Sequence, residues 1–145
     1  MSAPRDRRRI ALQVLYQLDN TTAASIDEID RQSLGEALDV DPPAEDAIAA
    51  GLALADGVWA HCREADAAIE PLTPEWPTRR QPVVDRNLLR LAWYEMTVAR
   101  VPPKVVMSEA IELAREFSTA ESPSFINGVL DRLFHTPPTS SEDGT

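Results

Sequence analysis

Hydrophobic side chains recur every three or four residues along most of this chain, and no alternation of apolar and polar residues persists for the length of a strand. After Pro4, such a stripe predicts a first amphipathic helix. The stripe consists of Ile10, Val14, Leu15 and Leu18. Ser25, with Glu28 three residues later, is typical of a capping box and predicts a second helix. The chain is therefore expected to be helical from end to end.

The middle of the chain predicts one long helix followed by an interruption. Pro42 and Pro43 mark a helix start, and apolar residues then keep helical spacing through about residue 70. Prolines at positions 71, 74 and 77 break this pattern. We expect residues 73–81 to form one short helical turn and a loop that carries Trp76, as a candidate hinge between two halves.

Three further helices are predicted in the second half of the chain. The segment after Pro82 has such a broad apolar face that we expect it to be the central helix of the core. Two more helical stripes follow, one after Lys104 and one opened by Ser122 and Pro123. These patterns predict an all-α fold of six or seven helices in a single domain over residues 1–135, with a disordered tail at 136–145.

Charge is distributed very unevenly along the chain. The formal net charge of -10 disfavours nucleic-acid binding at first sight. Residues 1–9, however, hold four arginines against one aspartate, and residues 79–104 hold six basic groups against two acidic ones. Arginine is suited to phosphates and base edges because its guanidinium is a planar fork. These two stretches are candidates for one binding patch, and the alternative is that they cover solvated helix faces.

The sequence lacks motifs for catalysis. It has no nucleophile elbow, phosphate-binding glycine loop, dinucleotide fingerprint or metalloprotease helix. The single cysteine, Cys62, excludes an internal disulfide and a cysteine metal cluster, and its neighbour His61 lacks a third ligand. Glu109, Glu112 and Glu116 share one helix face, which we interpret as solvated. Without an apolar signal or membrane-spanning stretch, the protein is expected to be soluble and cytoplasmic.

Four segments of the chain carry a distinctive pattern. They are RRRIALQVLYQLD at 7–19, PVVDRNLLRLAWYE at 82–95, PPKVVMSEAIELAREF at 102–117 and SPSFINGVLDRL at 122–133. Together they resemble the NusB family of bacterial transcription antitermination factors. The last two are the most specific, because a random pair of amphipathic helices would not contain both in this order. Ser108 departs from the family, which usually has asparagine at that position.

The resemblance implies a helical fold of two small bundled subdomains, with no catalysis, cofactor or metal. The family binds the boxA element of nascent ribosomal RNA leader transcripts. It does so with NusE, a small-subunit ribosomal protein, in the RNA polymerase elongation complex with other Nus factors. The family's arginine-rich motif falls here on Arg5, Arg7, Arg8 and Arg9, which would contact RNA. Tyr16 offers a face for base stacking, and its alternative role is a half-buried core tyrosine.

The partner surface implied by the resemblance lies at the starts of the central and last helices. It maps onto Asp85, Arg86, Glu121, Ser122 and Phe125. The sequence leaves open whether Phe125 is an exposed anchor or a core residue, and whether the protein is a monomer or a homodimer. An alternative function is a helical protein–protein interaction module that keeps the fold without binding RNA. Gly128 is interpreted as structural, at a close approach of two helices.

Overall fold

The computed structural model describes residues 4–20 and 45–135, which form six α-helices, two short 3-10 helices and the loops between them. The α-helices are α1 (Pro4–Asn20), α2 (Glu45–Ala60), α3 (Cys62–Ile69), α4 (Val83–Thr97), α5 (Pro103–Phe117) and α6 (Ser122–His135). The all-α prediction is confirmed. The helix predicted after Ser25 and the tail 136–145 lie outside the described residues. No helix within the described ranges has the length and apolar character needed to cross a membrane.

The first hydrophobic cluster joins α1 to α2. Its α1 members include the whole predicted stripe of Ile10, Val14, Leu15 and Leu18, each at most 4% exposed. Gly51 of α2 lies against this stripe, and a Cβ at Gly51 would overlap the side chain of Ile10. The missing side chain therefore lets α1 and α2 approach closely.

Helix α4 is the centre of the molecule, as its broad apolar face predicts. It contacts each of the other five described helices. Leu91 belongs to the cluster shared with α1 and α2. Leu88, Leu89 and Ala92 belong to a second cluster, formed mainly with α3, α5 and α6. The two clusters therefore meet at this one helix.

The long helix predicted to run to about residue 70 is broken at His61, so that prediction is wrong. The backbone at His61 has φ -108° and ψ 13°, and its N–H donates to Val58 O, three residues back, at 3.1 Å. The imidazole Nδ1 lies 2.9 Å from Gly57 O. This tightened turn and side-chain bond separate α2 from α3. Helical spacing of hydrophobic residues continues across His61, so the spacing does not indicate the break.

The proline-rich segment between α3 and α4 forms two 3-10 helices, Glu70–Leu72 and Thr78–Arg80. Within residues 73–81 the structure has the predicted short helical turn, at Thr78–Arg80, and the predicted loop that carries Trp76. Between the two 3-10 helices, Trp76 packs edge-on against Phe125 of α6, with 4.6 Å between the ring centroids. The side-chain amide of Gln81 donates to Trp76 O at 2.9 Å. The segment is thereby held against the second cluster.

Another glycine at which two helices approach closely is also not the one that the sequence predicts. A Cβ at Gly57 of α2 would overlap the hydroxyl of Tyr94 on α4. At Gly128, in contrast, no described atom lies within 4 Å of such a Cβ. The prediction that Gly128 marks a close approach is therefore wrong for the helices that the structure describes.

Candidate nucleic-acid and partner interfaces

The four arginines of the predicted RNA-binding motif lie on the first two turns of α1. Arg5 and Arg9 are four residues apart and share one side of the helix, and their side chains reach glutamates of α5. Arg5 donates through Nε and Nη2 to the two carboxylate oxygens of Glu109, both at 2.9 Å. Arg9 donates through Nη1 to Asp6 at 2.8 Å and through Nε to Glu116 at 3.1 Å. Both guanidinium groups therefore already have carboxylate partners.

Water reaches both of these ion pairs between α1 and α5. The side chains of Arg5 and Glu109 are 42% and 18% exposed, and those of Arg9 and Glu116 are 23% and 36% exposed. The hydrogen bond and charge of Arg5 hold the pKa of Glu109 below its ordinary value, although partial burial acts in the opposite direction. Arg5 Nη1 and Arg9 Nη2 take no part in these bonds. A phosphate that approaches this side would share or compete for the same donors.

Arg8 is buried and connects two helices. Its side chain is 4% exposed, and its Nε lies 2.9 and 3.1 Å from the two carboxylate oxygens of Glu95 on α4. The side chain of Glu95 is 3% exposed. Arg8 is therefore buried in an internal ion pair, whereas Arg5 and Arg9 are partly exposed.

Arg7 lies on a different side of α1 from Arg5 and Arg9. At about 100° per residue, it is separated from each of them by about 200° around the helix axis. Its Nε is buried and has no hydrogen-bond partner among the described residues. The arginine-rich motif is thus not one continuous patch.

Tyr16 extends the side of α1 that carries Arg5 and Arg9. It lies two helical turns beyond Arg9, and Arg5 and Tyr16 are separated by about 16 Å along the helix axis. The tyrosine side chain is 38% exposed, so solvent reaches part of it. We call Arg5, Arg9 and Tyr16 the α1 face.

Glu109 and Glu116, which we call the α5 carboxylates, have a role that the sequence does not predict. The sequence predicts a solvated face for them together with Glu112. In the structure both α5 carboxylates bind the α1 face, whereas Glu112 pairs with Arg115 of its own helix. Their spacing shows that they share one side of α5. It does not show which helix packs beside that side.

Two of the residues predicted to bind a partner, Asp85 and Ser122, are buried. They are 0% and 1% exposed. The Ser122 hydroxyl donates to Asp85 Oδ2 at 2.9 Å, and the Ser118 hydroxyl donates to Asp85 Oδ1. This network joins the start of α4 to the end of α5 and the start of α6. While the network is intact, a partner reaches neither residue.

Arg86 is engaged in a second network, at the end of α1. Its Nε donates to Asp19 Oδ2 at 2.6 Å, and the same oxygen accepts hydrogen bonds from Asn87 at 3.0 Å and Arg90 at 3.1 Å. Burial opposes ionisation of Asp19, but the bond from Arg86 and the charge of Arg90 lower the pKa of this carboxyl. Arg90 also binds Asp66 of α3 through two bonds of 2.8 Å. Arg86 therefore belongs to a group of charges that joins α1, α3 and α4.

Phe125 and Glu121 are reached by solvent at the start of α6. Glu121 is exposed, and Phe125 is half-buried. Phe125 thus lies between the two alternatives left open by the sequence. Its ring and that of Trp76 line a cleft of about 660 Å³, together with residues 71–75 and Arg132. No pattern in the sequence connects Trp76 with the partner surface, because their contact depends on how the proline-rich segment folds back.

The adjacent His61 and Cys62 have separate surroundings. The His61 ring binds the Gly57 carbonyl and packs against Tyr94, with 5.5 Å between the ring centroids. Cys62 is partly buried as a free thiol. Across residues 4–20 and 45–135, no group of three or more His, Cys, Asp or Glu side chains is arranged to hold a metal ion.

The arrangement of helices and the four sequence segments agree with one family of proteins. The sequence profile of the NusB family matches residues 5–135. This chain belongs to the NusB family. The transcription antitermination protein NusB of Kineococcus radiotolerans is 37% identical over 134 residues, which cover 92% of this chain and 93% of that protein. The resemblance drawn from the sequence is thereby confirmed.

Solved structures of the NusB family have the same fold. NusB of T. maritima superposes with a TM-score of 0.72 and 32% identity, covering 96% of both chains. A second similar structure is the complex of antitermination factors NusB and NusE with dsRNA. The match to it has a TM-score of 0.70 and 25% identity, and it covers 90% of this chain and 94% of that chain.

Proposed function

We propose that this protein is a transcription antitermination factor that binds boxA RNA of ribosomal leader transcripts together with NusE. In this role it acts in the RNA polymerase elongation complex with other Nus factors and promotes complete ribosomal RNA transcription. Membership of the NusB family and the likeness to a NusB solved with NusE and dsRNA support the proposal. The proposed role includes no catalytic step and no cofactor, and it places the protein in the cytoplasm.

The α1 face is the observation that carries the RNA-binding part of the proposal. It combines two guanidinium groups and a partly exposed tyrosine along one side of a helix. Arginine contacts to phosphates and aromatic stacking on bases are the two interactions that unpaired RNA offers most readily. We assign direct contact to Arg5, Arg9 and Tyr16. Because Arg8 is buried against Glu95, we assign it the role of holding α1 in place.

Affinity for RNA is expected to be low when the protein is alone. The net charge is -10, and the guanidinium groups of the α1 face are already neutralised by carboxylates. Phosphate neutralisation supplies most of the non-specific part of RNA affinity, so little of it is available here. NusE, as a basic ribosomal protein, would supply the missing positive charge.

NusE binding is proposed at the start of α6. There Glu121 offers an exposed carboxylate to a basic protein, and half-buried Phe125 and Trp76 offer an aromatic anchor at the edge of a cleft. Aromatic residues in such partly enclosed positions commonly dominate interface energies. Asp85 and Ser122 would act on this surface indirectly, because they hold the start of α6 against α4.

Fluorescence anisotropy tests the proposal. A labelled boxA-like RNA is titrated with the protein alone and with the protein and purified NusE, and a scrambled RNA of equal length is the control. We expect weak binding by the protein alone and tighter, sequence-dependent binding with NusE. If boxA and scrambled RNA bind equally well in the presence of NusE, the proposed function is wrong.

The second candidate function is an interaction module that has lost RNA binding. One observation favours it: Arg5, Arg8 and Arg9 of the motif all have carboxylate partners within the protein. In that case NusE would bind, and the anisotropy of boxA RNA would stay at the value of the free RNA throughout the titration.

A further inference from the structure

We infer that the α5 carboxylates, Glu109 and Glu116, compete with RNA phosphates for the α1 face and so make RNA binding selective. The inference rests on the proposed function, because that function supplies RNA as the ligand. It assigns a specificity-determining role to two acidic side chains on a helix outside the arginine-rich motif.

The competition follows from the donors that the carboxylates occupy. Glu109 accepts from Nε and Nη2 of Arg5 in a two-bond fork, which is the geometry in which a guanidinium holds a phosphate. Glu116 accepts from Nε of Arg9. A phosphate that reaches the α1 face therefore exchanges one anion for another, and it gains only the difference between the two interactions.

Exposure makes these particular ion pairs displaceable. The side chains in the Arg5–Glu109 and Arg9–Glu116 pairs are between 18% and 42% exposed, and ion pairs open to water are individually weak. The Arg8–Glu95 pair is 4% and 3% exposed, and breaking such a pair leaves a charge buried without its partner. Of the three arginines of the motif that have carboxylate partners, a ligand can thus take over Arg5 and Arg9 but not Arg8.

Selectivity arises because the negative charge of an RNA alone adds little to its affinity for the α1 face. An RNA that brings only phosphates gains little from displacing the α5 carboxylates. An RNA whose base also stacks on Tyr16, or which NusE holds in place, has additional interactions that make the exchange favourable. The α5 carboxylates should therefore reduce binding of unrelated RNA more than binding of boxA RNA.

Substitution of Glu109→Gln and Glu116→Gln, singly and together, tests this inference. Glutamine keeps the shape of the side chain and removes its charge. Glu112→Gln is a matched control, since it makes the same charge change on the same helix at a residue that pairs with Arg115. Each variant is titrated against boxA-like and scrambled RNA, with and without NusE, and circular dichroism confirms that it is folded.

We expect Glu109→Gln and Glu116→Gln each to raise affinity for scrambled RNA by about two- to fivefold, and to raise affinity for boxA RNA with NusE by less. The ratio of the two affinities should fall, and Glu112→Gln should change it little. Equal effects of all three substitutions would overturn the inference, because net charge alone would then explain them. Loss of affinity in the two variants would also overturn it, since the carboxylates would then position the arginines for RNA.

Inorganic polyphosphate, as a second probe, separates this inference from the proposed function. If no RNA binds selectively but Glu109→Gln and Glu116→Gln bind polyphosphate more tightly than Glu112→Gln does, competition is supported and the proposed function fails. If the parent protein binds boxA RNA selectively with NusE and the three variants behave alike, the proposed function stands and the competition is refuted.

Discussion

Arg8→Ala tests whether this arginine holds the fold together or contacts RNA. The side chains of Arg8 and Glu95 are 4% and 3% exposed, and Nε of Arg8 lies 2.9 and 3.1 Å from the two carboxylate oxygens. Alanine would leave the Glu95 carboxylate buried without its cation, which costs about 3–5 kcal/mol. With about 3–4 °C per kcal/mol for a domain of this size, we expect the melting temperature to fall by about 10–20 °C.

Urea unfolding followed by circular dichroism measures the change in the free energy of unfolding. The double variant Arg8→Met with Glu95→Met removes both charges, and we expect it to recover most of the stability lost in Arg8→Ala. Arg63→Ala, at an exposed arginine on α3, is the control and should change the free energy of unfolding by less than about 0.5 kcal/mol.

A different outcome would assign Arg8 to the RNA. If Arg8→Ala unfolds at the urea concentration of the parent protein and no longer binds boxA RNA, the buried ion pair contributes nothing measurable. The structural role given to Arg8 would then be refuted.

Three further predictions concern packing, buried polar groups and pH. Gly51→Ala should destabilise the fold by about 1–3 kcal/mol, because its Cβ would overlap Ile10. Gly128→Ala should be neutral or stabilising, since its Cβ would meet no described atom. Equal midpoints of urea unfolding for the two variants would contradict this. Asp85→Ala removes the acceptor of two serine hydroxyls and should lower the free energy of unfolding, measured by thermal unfolding, by about 1–3 kcal/mol. An unchanged free energy of unfolding would contradict the buried, hydrogen-bonded position of Asp85. The pKa of Glu109 is lowered in the folded protein, so its contribution to stability is present above its ordinary value of 4.5 and is lost as the pH falls through the lowered value. Melting temperatures measured on acidification should therefore fall less steeply in Glu109→Gln than in the parent protein, and parallel curves would argue against the ion pair.

Local patterns in the sequence predicted the helices that carry the core. The stripe on α1 and the broad apolar face of α4 are buried where the spacing places them. The break at His61 was not predictable from spacing, because helical periodicity continues from α2 into α3. It arises from a backbone turn and an imidazole bond to Gly57 O.

The candidate site was predictable only in part, because its chemistry depends on contacts distant in sequence. The arginine-rich motif was found from charge, but nothing local distinguishes Arg8 from Arg5. The difference comes from α4 and α5, which enclose Arg8 beside Glu95 and leave Arg5 at the edge beside Glu109. For the same reason, the burial of Asp85 depends on hydroxyl groups more than thirty residues further along the chain.

The central claim is that RNA binds at the α1 face. Its most direct test is to titrate boxA-like RNA, in the presence of NusE, with the double variant that combines Arg5→Ala and Arg9→Ala. The charge-matched comparison is Arg63→Ala with Arg79→Ala, at two exposed arginines outside α1. We expect the α1 variant to lose most of the sequence-dependent binding and to show a shallower salt dependence, while the control retains both. Equal affinity of the two double variants for boxA RNA would contradict the account.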